Sequence, residues 1–464
     1  MNIGFSFESG NITVHMVGIG GISMSGLSEI LMHKGISITG SDIHETEITD
    51  RLKSMGAVIY PSHDALNITN QDLVVHTAAV SIDNPELVEA RRKGIPIIDR
   101  AELLGAIMDQ FQQSIAVSGT HGKTTTTSMI SSIMIEAGLD PTIQVGGLLD
   151  RIGGNTRIGN SLWFIAEACE YKDSFLKFKP TLAVVLNIEA DHLDYFDGLD
   201  DIRSSFESFL SNVKNPGSIV LNIDDPQTRL ISKTLTRPFI GYGINSADSD
   251  WTCGDMAVEN GYASFTVNYK MSPWGGIKLA VPGMHNVSNS LAAIAACHEL
   301  GVPQTAIIKG LETFKGTHRR LEDKGIIKGV RVMDDYAHHP TEIQASLSAA
   351  RAMTGGHMIC VFQPHTYTRT YELLDDFSRA FGLADTVVVT DIYAAREPDT
   401  GLIHSRSLAE GINRNTGNAI YISGFQDISR FLEENAHSGD MVITMGAGDI
   451  YKVGLQFLSS PDSP

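Results

Sequence analysis

The run Ser118-Gly119-Thr120-His121-Gly122-Lys123-Thr124, set directly after the apolar stretch Ile115–Val117, constrains this chain more than any other feature. A strand that ends in small and Gly residues before a helix turns its backbone N–H groups toward phosphate oxygens. In such a loop a Lys reaches the terminal phosphates and the following hydroxyl faces Mg²⁺, the places of Lys123 and Thr124. The spacing departs from the common G-x-x-x-x-G-K-[ST] pattern. Position 117 is Val, the first Gly is Gly119, and His121 fills the space before Gly122. The alternative reading is a Gly-rich strand-to-helix turn.

A chain of 464 residues exceeds one hydrophobic core, and about three domains is the natural expectation. The net charge of −19 speaks against general binding to nucleic acid or to an anionic membrane. The four cysteines, Cys169, Cys253, Cys297 and Cys360, are far apart with no C-x-x-C pair, as expected of reduced thiols. No apolar run reaches the roughly 18 residues that a membrane span needs, so a soluble, cytoplasmic protein is expected.

Short apolar strands alternate with helical stretches, the pattern of α/β domains with parallel sheets. Strands are expected at Thr13–Val17, Ile36–Thr39, Ala57–Tyr60, Leu73–His76 and Ile95–Ile98, with helices at Ser25–Lys34 and Pro85–Lys93. This gives a Rossmann-like first domain, 1–108. Polar Asp109–Gln113 is a plausible joint. A central domain, 109–316, opens with Ser114–Val117 and a helix from Thr124 to Ala137. It continues through strands Leu162–Ala166 and Leu182–Leu186 and a small antiparallel part around Trp251–Gly276 to a helix at Asn289–Leu300. A third α/β unit, 317–464, carries strands Val330–Met333, Met358–Phe362, Thr386–Thr390 and Met441–Met445 and ends in a frayed tail, Ser459–Pro464.

Several further groups carry chemistry. Gly18-Ile19-Gly20-Gly21 follows the first strand and Asp42 follows the second. This is either a diphosphate turn with a carboxylate near a ribose, or a tight strand–helix turn. Glu167 and His192 stand after later strands, where side chains face the crevice of a parallel sheet and can bind Mg²⁺. His285-Asn286-x-x-Asn289 precedes an Ala-rich helix, so the amides either cap it or read a nucleobase edge. Arg319-Arg320-Leu321-Glu322, Asp334-Asp335-Tyr336-Ala337-His338-His339-Pro340 and Gln363-Pro364-His365-Thr366-Tyr367-Thr368-Arg369 make a small-anion pocket, Arg369 being suited to a carboxylate.

These motifs occur in one order on one chain, and the chain resembles the Mur ligase family, ATP-dependent amide-forming enzymes of peptidoglycan precursor synthesis. G-T-H-G-K-T is that family's form of the loop, and the likeness covers nearly the whole chain. It implies a P-loop-type central ATPase domain between a UDP-sugar-binding and an amino-acid-binding domain. The opening G-I-G-G-I-S-M-S-G-L, E-A-C-E-Y, N-I-E-A-D-H-L-D, D-D-Y-A-H-H-P-T-E and F-Q-P-H-T-Y-T-R-T point to the branch that joins L-alanine to the lactyl carboxylate of UDP-N-acetylmuramate. The resemblance implies that Gly18, Gly20, Gly21, Met24 and Asp42 hold the UDP portion. It places ATP on Gly119, Thr120, His121, Gly122, Lys123, Thr124 and Thr125, with Asn286 and Asn289 near adenine and Arg320 and Asp335 at the nucleotide. It assigns magnesium to Thr124, Glu167 and His192, the amino acid to Tyr336, His338 and Arg369, and catalysis to Lys123, Glu167, His192 and His338. A monomer or weak homodimer is the expected state.

Three positions depart from the family's pattern. Many members have Arg where Thr366 stands, which puts more of the carboxylate recognition on Arg369. Many have E-A-D-E-S-D where this chain has E-A-C-E-Y-K-D. Related ligases use a modified lysine on the helix after the D-H motif, whereas Ile202–Val213 contains no Lys, and Glu207 is the expected substitute charge. The rival readings are a sister ligase that adds a recycled peptide or another amino acid, a nucleotide-gated ATPase, and a dehydrogenase built on the first Gly-rich turn.

Overall fold

The computed structural model describes residues 12–77, 79–395 and 397–460. Of the expected frayed tail, positions 461–464 lie outside the described residues. Contacts group the chain into two compact units. Unit 1 comprises the described residues within Met1–Ile188, Asp200–Gly241 and Ala292–Ile307; unit 2 comprises those within Glu189–Leu199, Tyr242–Leu291 and Ile308–Pro464.

Unit 1 begins with a parallel sheet of β1 (Thr13–Val17), β2 (Ser37–Ser41), β3 (Val58–Tyr60), β4 (Leu73–His76) and β5 (Ile97–Asp99) in the order β3-β2-β1-β4-β5. Chain order reverses beside β1, and the crevice at the carboxyl ends of strands at such a point is where doubly wound sheets bind ligands. The Gly18–Gly21 turn occupies it. β5 starts two residues later than expected because Gly94 caps the preceding helix in a left-handed conformation and Ile95 N–H still bonds back to Ala90.

The second sheet of unit 1 contains β6 (Gln113–Ser118), β7 (Thr142–Leu149), β8 (Gly154–Arg157), β9 (Trp163–Glu167), β10 (Leu182–Val185) and β11 (Ser218–Asn222). They run β11-β10-β6-β9-β7-β8, parallel except for the β7–β8 pair. The β6 interior Ile115, Ala116 and Val117 is fully buried, which explains its unbroken apolar run. The sequence pattern missed β7 and β8, where Gly and polar residues interrupt any alternation.

The two sheets of unit 1 meet where helix Ile22–His33 lies against β7 and β8. Gly26 is the contact point: a Cβ there would stand 2.0 Å from Thr156 Oγ1. Only a glycine permits this approach.

Unit 2 contains the antiparallel strands β13 (Trp251–Glu259), β14 (Tyr262–Tyr269) and β15 (Ser272–Pro282); Tyr242, at the end of β12 (Ile240–Tyr242), pairs with Trp251. Its larger sheet is β16 (Glu322–Ile327), β17 (Val330–Asp335), β18 (Met358–Phe362), β19 (Thr386–Val389), β20 (Ala419–Tyr421) and β21 (Met441–Met445), ordered β16-β17-β21-β18-β19-β20. Only β16 runs antiparallel. Cys297 and Cys360 are buried and all four cysteines are free thiols. Among the described residues no helix is long and apolar enough to cross a membrane.

Gly26→Ala is expected to lower the free energy of unfolding by about 1–3 kcal/mol through overpacking. Thr156→Ala in the same chain should recover most of that loss, read from urea denaturation midpoints.

Candidate active site

The loop after β6 is held from β10's far end. Leu186 N–H donates to Ser118 O at 3.0 Å and Thr120 N–H to Asn187 O at 3.0 Å. The Asn187 amide takes His121 N–H at 2.7 Å and donates to His121 O at 3.1 Å. Gly119 and Gly122 adopt φ of +141° and +82°, and Gly122 opens helix Lys123–Glu136 without a capping side chain. The helix N-terminus therefore keeps its N–H groups for an anion.

Lys123 lies across this loop. Its Nζ bonds the carbonyls of Gly119 and Thr120 and pairs with Glu170 Oε2 at 3.0 Å, where the Glu170 side chain is only 3% exposed. Burial alone would push the ammonium pKa down; Glu170, with Cys169 and Glu167 adding to it, outweighs that and leaves it raised. Lys123 is thus a fixed positive charge. Glu170 is a site residue that the sequence reading missed, although it stands in the quoted E-A-C-E-Y run. Its role depends on β9 lying beside β6, which no local pattern displays.

Thr124 Oγ1 donates to Glu167 Oε2 at 3.1 Å, and Glu167 Oε1 accepts Gly146 N–H. Two neighbouring ligands of an octahedral Mg²⁺ bound at about 2.1 Å stand about 3.0 Å apart. The spacing and the hard oxygen donors of Thr124 and Glu167 therefore fit a divalent cation.

In the first sheet, Gly18 and Ile19 N–H bond to Ser41 O at 2.8 and 3.1 Å. Asp42, expected near a ribose, closes the turn instead: Oδ2 accepts Gly20 N–H at 2.9 Å and Oδ1 accepts His44 N–H at 3.0 Å. The Met24 side chain is buried in the core. Gly21 precedes helix Ile22–His33 as its N-cap, again with no capping side chain.

In unit 2 the three expected amino-acid residues form one cluster. His338 Nδ1 lies 3.0 Å from Tyr336 O. A carbonyl can only accept, so Nδ1 carries the hydrogen and Nε2 the lone pair. Burial, with Arg369 adding to it against Glu342 and Asp191, pushes the His338 pKa down to about 4. The His338 and His365 rings meet edge to face at 5.7 Å, and Arg369 reaches His365 Nδ1 at 3.2 Å. Arg369 also places Nε and one terminal nitrogen on Asp191 Oδ1, at 3.1 and 2.9 Å. Burial acts against the Asp191 charge, but Arg369 together with His192, His338 and His339 outweighs it and holds the carboxyl far below its ordinary range. His192 follows in the same segment with φ of +55°. Arg320 stacks on Tyr336 at 5.2 Å and lies 3.7 Å from Glu342.

Three expected ligand contacts are spent on the protein itself. Asp335 accepts Leu321 N–H at 2.8 Å and Ala337 N–H at 2.6 Å, fixing the Arg319–Leu321 and Tyr336–His338 turns. Burial nevertheless raises its pKa to about 6. Asn286 donates to Pro282 O at 2.7 Å and accepts from Asn289 at 3.1 Å, so this pair secures the start of helix Met284–Glu299. Glu207 accepts the Thr234 hydroxyl at 3.2 Å. At 100° per residue it lies opposite Ser205, whose hydroxyl bonds Asp173 just beyond Glu170. Asp173 thus bonds this helix at Ser205, while Glu207 meets Thr234 on the opposite face.

A phosphate loop with a fixed Lys, an oxygen pair suited to a metal, and a separate Arg–His cluster define an ATP-using ligase, and the chain belongs to the Mur ligase family. Residues 13–112 match the model described as Mur ligase family, catalytic domain; 117–297 match the Mur ligase middle domain; 319–448 match the Mur ligase, glutamate ligase domain. The chain is 56% identical to UDP-N-acetylmuramate–L-alanine ligase of Acetivibrio thermocellus, over 96% of this chain and 95% of that one. It is 49% identical to the enzyme of the same name from Clostridium novyi, over 98% and 99%. The solved UDP-N-acetylmuramate–alanine ligase of Thermotoga maritima superposes with a TM-score of 0.82 at 30% identity, covering 96% of this chain and 98% of that one. A murein peptide ligase from Psychrobacter arcticus shares the fold, with a TM-score of 0.73 at 24% identity over 97% and 98%.

Glu170→Gln, which leaves the Lys123 ammonium without its counter-charge, is expected to cost about 2–4 kcal/mol of stability in urea unfolding. Combining it with Lys123→Met should cost less than the two single changes added together. A second expectation concerns pH. Burial, with Arg320 adding to it, also pushes His285 down to about 4. For both His285 and His338 the folded chain keeps the ring neutral while the unfolded chain protonates near 6.5, so their stability is complete above that pH and is lost as pH falls toward about 4. Both rings keep some solvent contact, so each accounts for about 1–2 kcal/mol lost between pH 7.5 and 5. His338→Gln should remove about half of that pH dependence of the unfolding midpoint, leaving the His285 part.

Proposed function

We propose that this chain joins L-alanine to the lactyl carboxylate of UDP-N-acetylmuramate at the expense of ATP. The observation that carries this is its likeness, along nearly the whole length, to UDP-N-acetylmuramate–L-alanine ligases at up to 56% identity. The proposed division of labour is a UDP-sugar domain to about residue 108, an ATP domain to about 316 and an amino-acid domain beyond.

In this reading Gly18, Gly20 and Gly21, with the backbone of Met24, receive the diphosphate. Residues Gly119–Thr125 wrap the ATP phosphates; Thr124 and Glu167 would hold magnesium, and the family likeness adds His192 to that set. Magnesium bound there would supply positive charge against the phosphates. The lactyl carboxylate attacks the γ-phosphorus, ADP leaves, and an acyl phosphate remains. Two anions approach each other in that step, and Lys123, held in place by Glu170 and the loop carbonyls, offsets the repulsion.

The amine of L-alanine then adds to the acyl carbon, and the tetrahedral intermediate expels phosphate. A neutral His338, its hydrogen committed to Tyr336 O, presents Nε2 to an amine N–H. Arg369 faces the alanine carboxylate.

Incubation with ATP, Mg²⁺ and UDP-N-acetylmuramate tests this reading. Phosphate release and a new amide product are expected together on adding L-alanine. Glycine and L-serine should react about 10–200-fold less efficiently, the range that one small group confers. Preference for a tripeptide would transfer the chain to the recycling branch, and phosphate release without amide would make it an ATPase.

A further inference from the structure

Gln144 sits near the middle of β7 and is 4% exposed. Its Nε2 donates to Ser23 O at 2.9 Å and approaches Ser23 Oγ at 3.2 Å. Ser23 belongs to the first turn of helix Ile22–His33, immediately after the Gly18–Gly21 turn. Arg100 bonds the same Ser23 hydroxyl at 3.0 Å, and Asn155 donates to Ile22 O at 2.9 Å. Two residues beyond Gln144 on β7, Gly146 N–H donates to Glu167, which also receives Thr124 Oγ1. β7 lies parallel to β9 with Gln144 opposite Ala166, the residue before Glu167.

One extended strand therefore touches both phosphate-handling turns of unit 1, through contacts that start about 7 Å apart along its backbone. We propose that Gln144 is a positioning residue that fixes the Gly18–Gly21 turn, and with it the nucleotide sugar, relative to the Glu167–Thr124 pair at the ATP phosphates. The inference rests on the function proposed above. Its second support is the cost of the residue. Gln144 Oε1 is buried with no hydrogen-bond partner among the described residues. An amide that leaves its acceptor unpaired is a worse choice for packing than Met or Leu of similar volume. The donor aimed at Ser23 O is what the amide provides and an apolar side chain does not.

The test uses the full chain with Gln144→Met and Gln144→Leu, assayed with ATP, Mg²⁺, UDP-N-acetylmuramate and L-alanine. Both variants are expected to melt at or above the wild-type temperature. The KM values for ATP and for the nucleotide sugar should stay within about threefold, while kcat falls about 10–100-fold, the effect of a small misplacement of reacting groups. Wild-type kcat in the Met variant overturns the proposal. So does a loss of activity that only follows a lower melting temperature or failure to fold, which would assign Gln144 to packing. If the wild-type chain itself forms no amide, the functional reading fails first, and that outcome is separate from either variant's behaviour.

Discussion

The arrangement of the phosphate loop depends on one buried ion pair, Lys123 with Glu170. An ammonium removed from water is costly unless a counter-charge and acceptors surround it. Here Glu170 provides the charge and the carbonyls of Gly119 and Thr120 provide acceptors. The pair requires β9 to lie next to β6, which in turn brings Glu167 beside Thr124. Lys123 is therefore placed by the same sheet register that places the Thr124–Glu167 oxygen pair. A site built this way is ordered before ligand binds, so less ordering cost falls on ATP.

The first sheet uses a different device. Glu86, fully buried, accepts from Ser41 Oγ at 2.6 Å and from Asn67 at 2.8 Å, and it lies 3.1 Å from His15 and 3.0 Å from His63. Burial works against its charge, but these hydrogen bonds prevail and lower its pKa. Ser41 is the residue whose carbonyl holds Gly18 and Ile19 N–H. A satisfied polar network below the sheet thus fixes the turn above it, where an apolar core would leave the Ser41 side chain free to rotate.

Much of this was legible along the chain. Thr13–Val17, Leu73–His76, Met358–Phe362 and Met441–Met445 have the limits that their apolar runs indicate, because strands buried on both faces need no alternation. The placing of Lys123 and Glu167 at strand ends of one sheet, and of Tyr336, His338 and Arg369 at strand ends of another, was also legible, since loops at the strand ends of each α/β sheet share that sheet's edge. Glu170, Asn187 and Gln144 were not. Each acts on a segment at least 40 residues away in sequence, through sheet register that local pattern does not encode. Asp42, Asp335 and Asn286 were read toward ligands because short carboxylates and amides beside Gly-rich turns serve either purpose. In all three the backbone N–H or C=O groups of the turn come first, since leaving them unpaired in a buried loop costs more than a distant ligand contact returns.

The Arg369–Asp191 pair shows how the amino-acid cluster can be both stable and open. Asp191 and His365 engage three of the five guanidinium N–H groups among the described residues. Asp191 is 8% exposed, and Arg369 is the largest of the charges that keep it ionised, so the pair cannot be broken cheaply. In the function proposed above, the economical arrangement is a shared guanidinium, with Asp191 on the Nε side and the incoming carboxylate on the remaining terminal N–H groups. That also explains why a neutral Thr at position 366 is tolerable. With Arg369 already oriented by two partners, a second guanidinium adds charge but little orientation, and in that proposed reading the planar fork of Arg369 takes the carboxylate alone.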